Sequence, residues 1–288
     1  MIWVETIVNG ILFGGLYGLL GVGLALIVGV MRVVNIAHGE FMVLSAFLGV
    51  SLAGLLPGLH PLALLVPVVL ISFGLGYVLQ AVIINRIVTR PDPFAAILLT
   101  FGLAVAMRNL MLEGYGADPR TLTAGTLAQA SVRVAGLSIG VLPLLTLGVA
   151  VVLFVALQLV VTRTQFGRIM RATADNRDVV RLMGVNPARV YNVVMGLSLA
   201  LASVAGVLLA IRSSFTAYSG VERLLTAFEV VVLGGLGSFW GAMVGGILLG
   251  IVQLVGLKFD PNAGPLYAHL LFFVGVLLRP NGLFGART

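Results

Sequence analysis

Residues 7–30 read Ile7-Val-Asn-Gly10-Ile-Leu-Phe-Gly14-Gly-Leu-Tyr-Gly18-Leu-Leu-Gly-Val-Gly-Leu-Ala-Leu-Ile-Val-Gly-Val30, without one charged side chain. A helix needs about 20 apolar residues to cross the hydrocarbon of a bilayer, so this stretch spans it with room for tilt. Further apolar stretches follow near 41–56, 62–85, 94–112, 138–162, 191–211, 224–236, 239–257 and 266–279. Those at 224–236 and 266–279 are short, which points to half-helices, re-entrant elements or helices whose ends extend past the apolar run. The pattern predicts an all-α fold: a polytopic transmembrane bundle of eight or nine segments, some short or broken, making residues 1–288 a single membrane domain.

Composition agrees. Of 288 residues, 60% are hydrophobic and 9% charged, against about 25% charged in soluble domains. Eight or nine crossings leave room for short loops only, so no ordinary soluble domain is accommodated. The net charge of +7 fits basic loops that fix membrane topology better than a nucleic-acid partner, and lipid is the expected surrounding. Cysteine is absent, which excludes disulfides, thiolate metal sites and a cysteine nucleophile. The start, Met1-Ile2-Trp3-Val4-Glu5, has no positive region ahead of its apolar run and reads as a retained helix rather than a cleaved signal.

Basic residues set the expected orientation. With the arginine-rich loop 163–189 in the cytoplasm, alternation places 31–40, 86–93 and the C-terminal tail there too. That side then holds Arg32, Arg86, Arg90, Arg163, Arg168, Arg171, Arg177, Arg181, Arg189, Arg279 and Arg287. The other keeps Arg108, Arg120, Arg133, Arg212, Arg223 and Lys258. The bias follows the positive-inside rule, with the N-terminus outside and the C-terminus inside.

The 37 glycines recur at helical spacing, as Gly10, Gly14 and Gly18 and as Gly237, Gly241 and Gly245. Small residues four apart let helix backbones approach closely in lipid, so tight internal packing is expected, with a subunit interface as the alternative.

Polar groups enter the apolar pattern at two places. The first is Met31-Arg32-Val33-Val34-Asn35-Ile36-Ala37-His38-Gly39-Glu40, too apolar for an ordinary loop. Irregular backbone is tolerated at membrane depth where it lines a cavity, so Asn35, His38 and Glu40 are candidate pathway groups; the alternative is a short solvated loop. In the second, Glu229 opens the run Val230–Leu233, which Gly234, Gly235 and Gly237 then interrupt. A carboxylate inside a membrane is expensive unless it has a task or a partner, and interrupted segments in both halves of a transporter point to its pathway. Glu229 is the fourth pathway candidate. Capping a helix, or pairing with Arg223 or Arg212, are the alternatives.

Residues 163–190 form the main polar loop. Asp175 with Asp178 reads as an acidic variant of a capping box, Gly184 as a left-handed stop, and Asn186-Pro187 as the start of the next helix. The helix between them has about eight residues, too few for stability alone in water. Val179, Val180 and Met183 lie on one side and Arg177 and Arg181 on another. A basic amphipathic helix suits a lipid surface, but one this short and capped fits docking to a partner better. Asp175, Arg177, Asp178, Val180, Arg181, Met183 and Gly184 are the docking candidates.

No power source is visible. A P-loop needs Gly-Lys-[Ser/Thr], and the lone lysine, Lys258, follows Leu257. Embedded acidic groups are too few to argue for ion coupling, which leaves a passive channel or a permease driven by a separate subunit. Gly136-Leu-Ser138-Ile-Gly140 matches a nucleophile-elbow pattern that needs a strand-to-helix turn, whereas Ser138 is read as starting a hydrophobic span. His38, His60 and His269 form no metalloprotease motif. The chain is not expected to be an enzyme, nor to hold a cofactor or metal.

Gly18-Leu-Leu-Gly-Val-Gly-Leu with Val33-Val-Asn-Ile-Ala-His-Gly-Glu-Phe-Met resembles the start of the branched-chain amino acid permeases of bacterial ABC importers. Thr164-Gln-Phe-Gly-Arg-Ile-Met-Arg-Ala with Gly184-Val-Asn, Leu233-Gly-Gly-Leu-Gly-Ser with Gly241-Ala-Met-Val-Gly-Gly, and Arg279-Pro-Asn-Gly-Leu-Phe-Gly extend the likeness from about residue 14 to 285. The chain is most similar to the shorter of the two permease subunits. The resemblance implies a second, similar permease, two cytoplasmic ATPases that use ATP and Mg, and an extracytoplasmic binding protein delivering leucine, isoleucine or valine across a bacterial plasma membrane. It also implies that 175–186 belongs to the cytoplasmic coupling region. Urea and short-amide permeases of the same family carry related motifs and are the alternative substrate classes.

Overall fold

The computed structural model describes residues 2–88, 93–128, 130–134 and 137–285; Arg90, Gly136 and Arg287 lie outside them. In chain order the helices are α1 (Ile2–Met31), α2 (His38–Leu55), α3 (Leu65–Leu79, carried on by a π-helical turn Gln80–Ile84 and by Asn85–Val88), α4 (Pro93–Tyr115), α5 (Val141–Arg163), α6 (Gln165–Asp175), α7 (Arg177–Leu182), α8 (Pro187–Arg212), α9 (Ser219–Gly234), α10 (Phe239–Phe259) and α11 (Gly264–Leu278). Seven of them, α1 to α5, α8 and α10, are long and apolar enough to cross a membrane. The two short apolar segments expected from the sequence are α9 and α11. The chain is a polytopic helical membrane protein.

Two departures from the sequence reading matter. Ser138 does not open a span: it lies in β2 (Leu137–Gly140), paired antiparallel with β1 (Ser131–Val134) opposite Arg133, and α5 begins only at Val141. Leu137–Gly140 alternates apolar and polar-or-small residues, the period of a strand rather than of a helix. The polar loop also contains a second helix, α6, that the cap signals did not reveal.

The helices are sorted by burial. About 83% of α1 and 89% of α8 is buried in the most apolar window, against 28% of α3, α4 and α5. The first two form the centre, and the others turn apolar faces to lipid. Glycine spacing makes this centre possible. Gly10, Gly14 and Gly18 face Ile251, Ile247 and Met243 of α10, and a Cβ on Gly14 would stand 2.3 Å from the Ile247 Cα. Backbones this close gain dispersion contacts that longer side chains would block. Gly237, Gly241 and Gly245 are used in the same way, against Gly29 and the end of α9.

The halves of the bundle repeat each other upside down. Helix α1 packs on α9 and α10, as α8 packs on α2 and α3. Both long pairs run antiparallel: Gly10, Gly14 and Gly18 descend as Ile251, Ile247 and Met243 ascend, and Gly76 meets Met195–Gly196 while Asn85 meets Asn192. Each pair carries a polar bridge. Tyr17 Oη donates to Gln253 Oε1 at 2.5 Å, and Asn85 Nδ2 donates to Asn192 Oδ1 at 2.8 Å. The sequence retains an echo, with Gly39 followed by Ser45-Ala46-Phe47 and Gly220 by Thr226-Ala227-Phe228 at the same spacing. Such inverted repeats place transporter sites at the repeat interface, beside discontinuous helices.

Two faces follow. One carries α6, α7 and the ends of α1 and α9. The other carries the β-hairpin, with Arg120 and Phe215 bonded backbone to backbone.

Candidate functional site

After α1 the chain does not leave the bundle. Arg32 closes the helix in a left-handed conformation (φ 54), which is costly for a side chain with a Cβ. Residues 33–37 then run inward. Ile36 N–H donates to Thr100 Oγ1 within α4 at 3.3 Å, and Asn35 Oδ1 accepts from Ala37 N–H at 3.0 Å. The buried amides of an unwound stretch need such partners. Helix α2 therefore starts inside the protein, and the sequence reading of a half-buried unwound segment describes its backbone.

Asn35, His38 and Glu40 are all buried. Asn35 serves its own turn, and its Nδ2 faces Met195 Sδ at 3.9 Å. His38 lies against Gly23 and Ser198, with the backbone of Leu20 as its polar neighbour. Glu40 Oε1 accepts from Arg108 Nε at 3.1 Å and Nη2 at 2.5 Å. Arg108 thus belongs to a spanning helix rather than to a loop. Its low-dielectric ion pair is what makes a carboxylate tolerable here. Gly39 and Glu40 press on Gly220, so the first turns of α2 and α9 meet.

Helix α9 is reached by a second re-entrant turn, residues 213–218, whose Phe215 ring lies edge-on to Phe47 of α2. Glu229 is buried in the body of α9, not at its cap. Its partner is neither Arg223 nor Arg212: Oε1 shares a hydrogen bond with His269 Nδ1 of α11 at 2.5 Å. Glu229 also lines a chamber of about 640 Å³ among α1, α8, α9, α10 and α11, into which Arg212, Glu222 and Arg223 face. Asn35, His38 and Glu40 do not line it. The four sequence candidates therefore divide into two places.

The loop helices correct the docking set. Asp175 ends α6 instead of capping α7. The cap is Asn176, whose Oδ1 accepts from the N–H groups of Asp178 and Val179 at 3.0 and 3.1 Å. Helix α7 has six residues rather than about eight. Gly184 does adopt the left-handed conformation (φ +82), and Asn186 caps α8 ahead of Pro187. Helix α6 is capped by Thr164 and buries Gly167, Met170 and Thr173; the spacing of Phe166, Met170 and Ala174 carried the helical signal.

Val180 is only 4% exposed, covered by the chain itself, whereas Leu182 and Met183 are 89% and 77% exposed. A six-residue helix can turn only one side inward, and it turns Val180. Arg181 and Asp178 form an exposed pair at 3.6 Å. Arg177 lines a recess with Arg32 and Tyr191. The sequence reading missed Leu182, Asn176, Arg108 and His269.

Residues 6–278 match the family described as branched-chain amino acid transport system / permease component. The chain belongs to this family. It is 26% identical over 300 residues to the high-affinity branched-chain amino acid transport system permease protein BraD of Pseudomonas aeruginosa, covering 98% of this chain and 96% of that one. Identity to LivH of Escherichia coli K12 is 26% over 299 residues, with the same coverage. The LivM permease of the same organism is also 26% identical, but only 67% of its length is covered, so the likeness is to the shorter subunit. The solved structure of PsaBC from Streptococcus pneumoniae in complex with Fab shares the fold, with a TM-score of 0.52, 14% identity and coverage of 96% of this chain and 92% of that one.

Proposed function

We propose that the chain is the membrane-spanning subunit of an ABC importer that moves leucine, isoleucine and valine inward across a bacterial plasma membrane by alternating access. The family match across residues 6–278 carries this reading. The chain pairs with a second permease, receives solute from an extracytoplasmic binding protein and engages two cytoplasmic ATPases, where ATP and Mg are used; it holds no cofactor itself. The N-terminus lies outside and the α6–α7 face inside, which the arginines of 163–189 favour. Removing Arg108 and Arg223, both in helices, from the loops of the opposite side strengthens that bias.

Closure of the ATPases pushes on α7 through the exposed Leu182, Met183 and Arg181. The push tilts the inverted halves about the place where α2 meets α9. Asn35, His38 and Glu40 are the polar groups beside that meeting place and Glu229 the one further along α9, and a lining of Gly, Val and Leu makes a low-affinity path. Specificity then rests mainly with the binding protein.

Reconstitution of the chain with its co-encoded partners in liposomes tests the proposal. Uptake of labelled leucine should require ATP, be competed by isoleucine and valine but not by urea, and fall several-fold with Asn35→Ala or Glu40→Gln. ATP-independent flux would make the protein a passive channel. Unchanged uptake in well-assembled variants would remove Asn35 and Glu40 from the path.

A further inference from the structure

The chamber around Glu229 has the chemistry of a binding site, not just of a passage. At about 640 Å³ it falls in the range of small-molecule sites, about 300–1,000 Å³. Arg212 stands over the Phe13 ring, 4.4 Å from its centroid, which holds the guanidinium at the wall. Arg223, six residues before Glu229 on the same helix, also faces the chamber, and its Nε is buried with no hydrogen-bond partner among the described residues. A buried guanidinium donor without an acceptor is costly and rare. Among the acids, Glu229 is already engaged by His269, which leaves Glu222 as the acid without an ion-pair partner among the described residues. The remaining wall mixes apolar side chains, among them Leu225, Leu254 and Leu257, with the neutral polar groups of Tyr17, Ser213, Thr226 and Gln253.

We infer that this chamber binds an aliphatic α-amino acid within this one subunit: Arg223, helped by Arg212, takes the carboxylate, Glu222 the ammonium group, and the three leucines the side chain. Two charges of opposite sign set beside leucine side chains match a zwitterion with a hydrocarbon arm; urea has no anionic end to offer the fork of a guanidinium. The inference rests on the branched-chain reading of the function, and it assigns solute contact to residues outside the Asn35–Glu40 turn.

The test uses the reconstituted transporter with two readouts, uptake of labelled L-leucine and cross-linking by a diazirine analogue of L-leucine that keeps both charged groups. Cross-links should fall in α9, α10 and α11 of this chain, be suppressed by excess L-leucine and persist in excess leucinamide, which lacks the carboxylate. Arg223→Gln should lower labelling about tenfold, the loss expected for a charge-assisted bond, whereas Arg133→Gln on the exposed hairpin should leave it unchanged. Should Arg223→Gln assemble poorly, Arg223→Lys keeps the charge without the fork and should still lose most of the labelling. Intact leucine uptake with labelling elsewhere, or labelling indifferent to Arg223, overturns the site and spares the transport reading. A wild type that neither takes up leucine nor is labelled overturns both.

Discussion

Glu40 and Glu229 are both carboxylates buried within apolar helices, and the protein accommodates them with different partners. Glu40 accepts twice from Arg108 through one oxygen, leaving its Oε2 buried and without a hydrogen-bond partner among the described residues. Glu229 is matched to an imidazole, His269. Removing a partner from a buried pair leaves an uncompensated charge. Arg108→Ala should therefore cost about 3 kcal/mol or more, and pairing Glu40→Gln with Arg108→Gln should recover most of it. Thermal unfolding in detergent, with fully glycosidic detergent and fixed salt, reads this directly; an Arg108→Ala protein as stable as wild type would show that the pair contributes nothing. Glu40 was visible in the sequence as an acid beside an apolar run. Arg108 was not, because an arginine that pairs across helices looks the same as one that ends a loop.

At the level of elements, the six-residue helix α7 buries Val180 and half-buries Arg177, and it turns its other side chains outward. Val180 is buried while Val179, Leu182 and Met183 are exposed, an apolar patch that water does not favour and that a partner would cover. Leu182→Asp with Met183→Asp should abolish co-purification of the ATPase while the permease keeps its folded elution profile. Val180→Asp should instead destabilise the loop itself by several kcal/mol, on the order of the cost of an unpaired buried carboxylate. Wild-type co-purification of the Leu182/Met183 variant would exclude α7 from docking. The cap signals located this helix to within a residue or two. They could not say which valine faces inward, because that is set by the elements beneath it and not by period.

For the whole molecule, α5 is long enough to cross a membrane and runs from the β-hairpin to α6, so the hairpin and α7 are expected on opposite sides. Since the chain has no cysteine, single replacements report topology cleanly. Val132→Cys should react with a membrane-impermeant maleimide in intact cells whose outer barrier has been made porous, and Leu182→Cys should react only after lysis. The reverse pattern would invert the proposed orientation and move the docking helix to the wrong side.

The sequence by itself determined the lipid surroundings and the approximate place of each long apolar helix. Long uncharged runs such as 7–30 admit no other state in lipid, where backbone groups must be satisfied within the segment. It also located the two interruptions, at 32–37 and after Glu229, since polar groups and glycines break an apolar pattern visibly. Tertiary structure alone decided what those interruptions face. The meeting of Gly39 with Gly220, the Arg108 and His269 partners, and the gathering of Arg212, Arg223 and Glu229 around one chamber join residues far apart in the chain. Such contacts depend on which helices pack together, and in lipid that choice is made by close backbone fit between small residues, a property of surfaces in contact that no single segment carries.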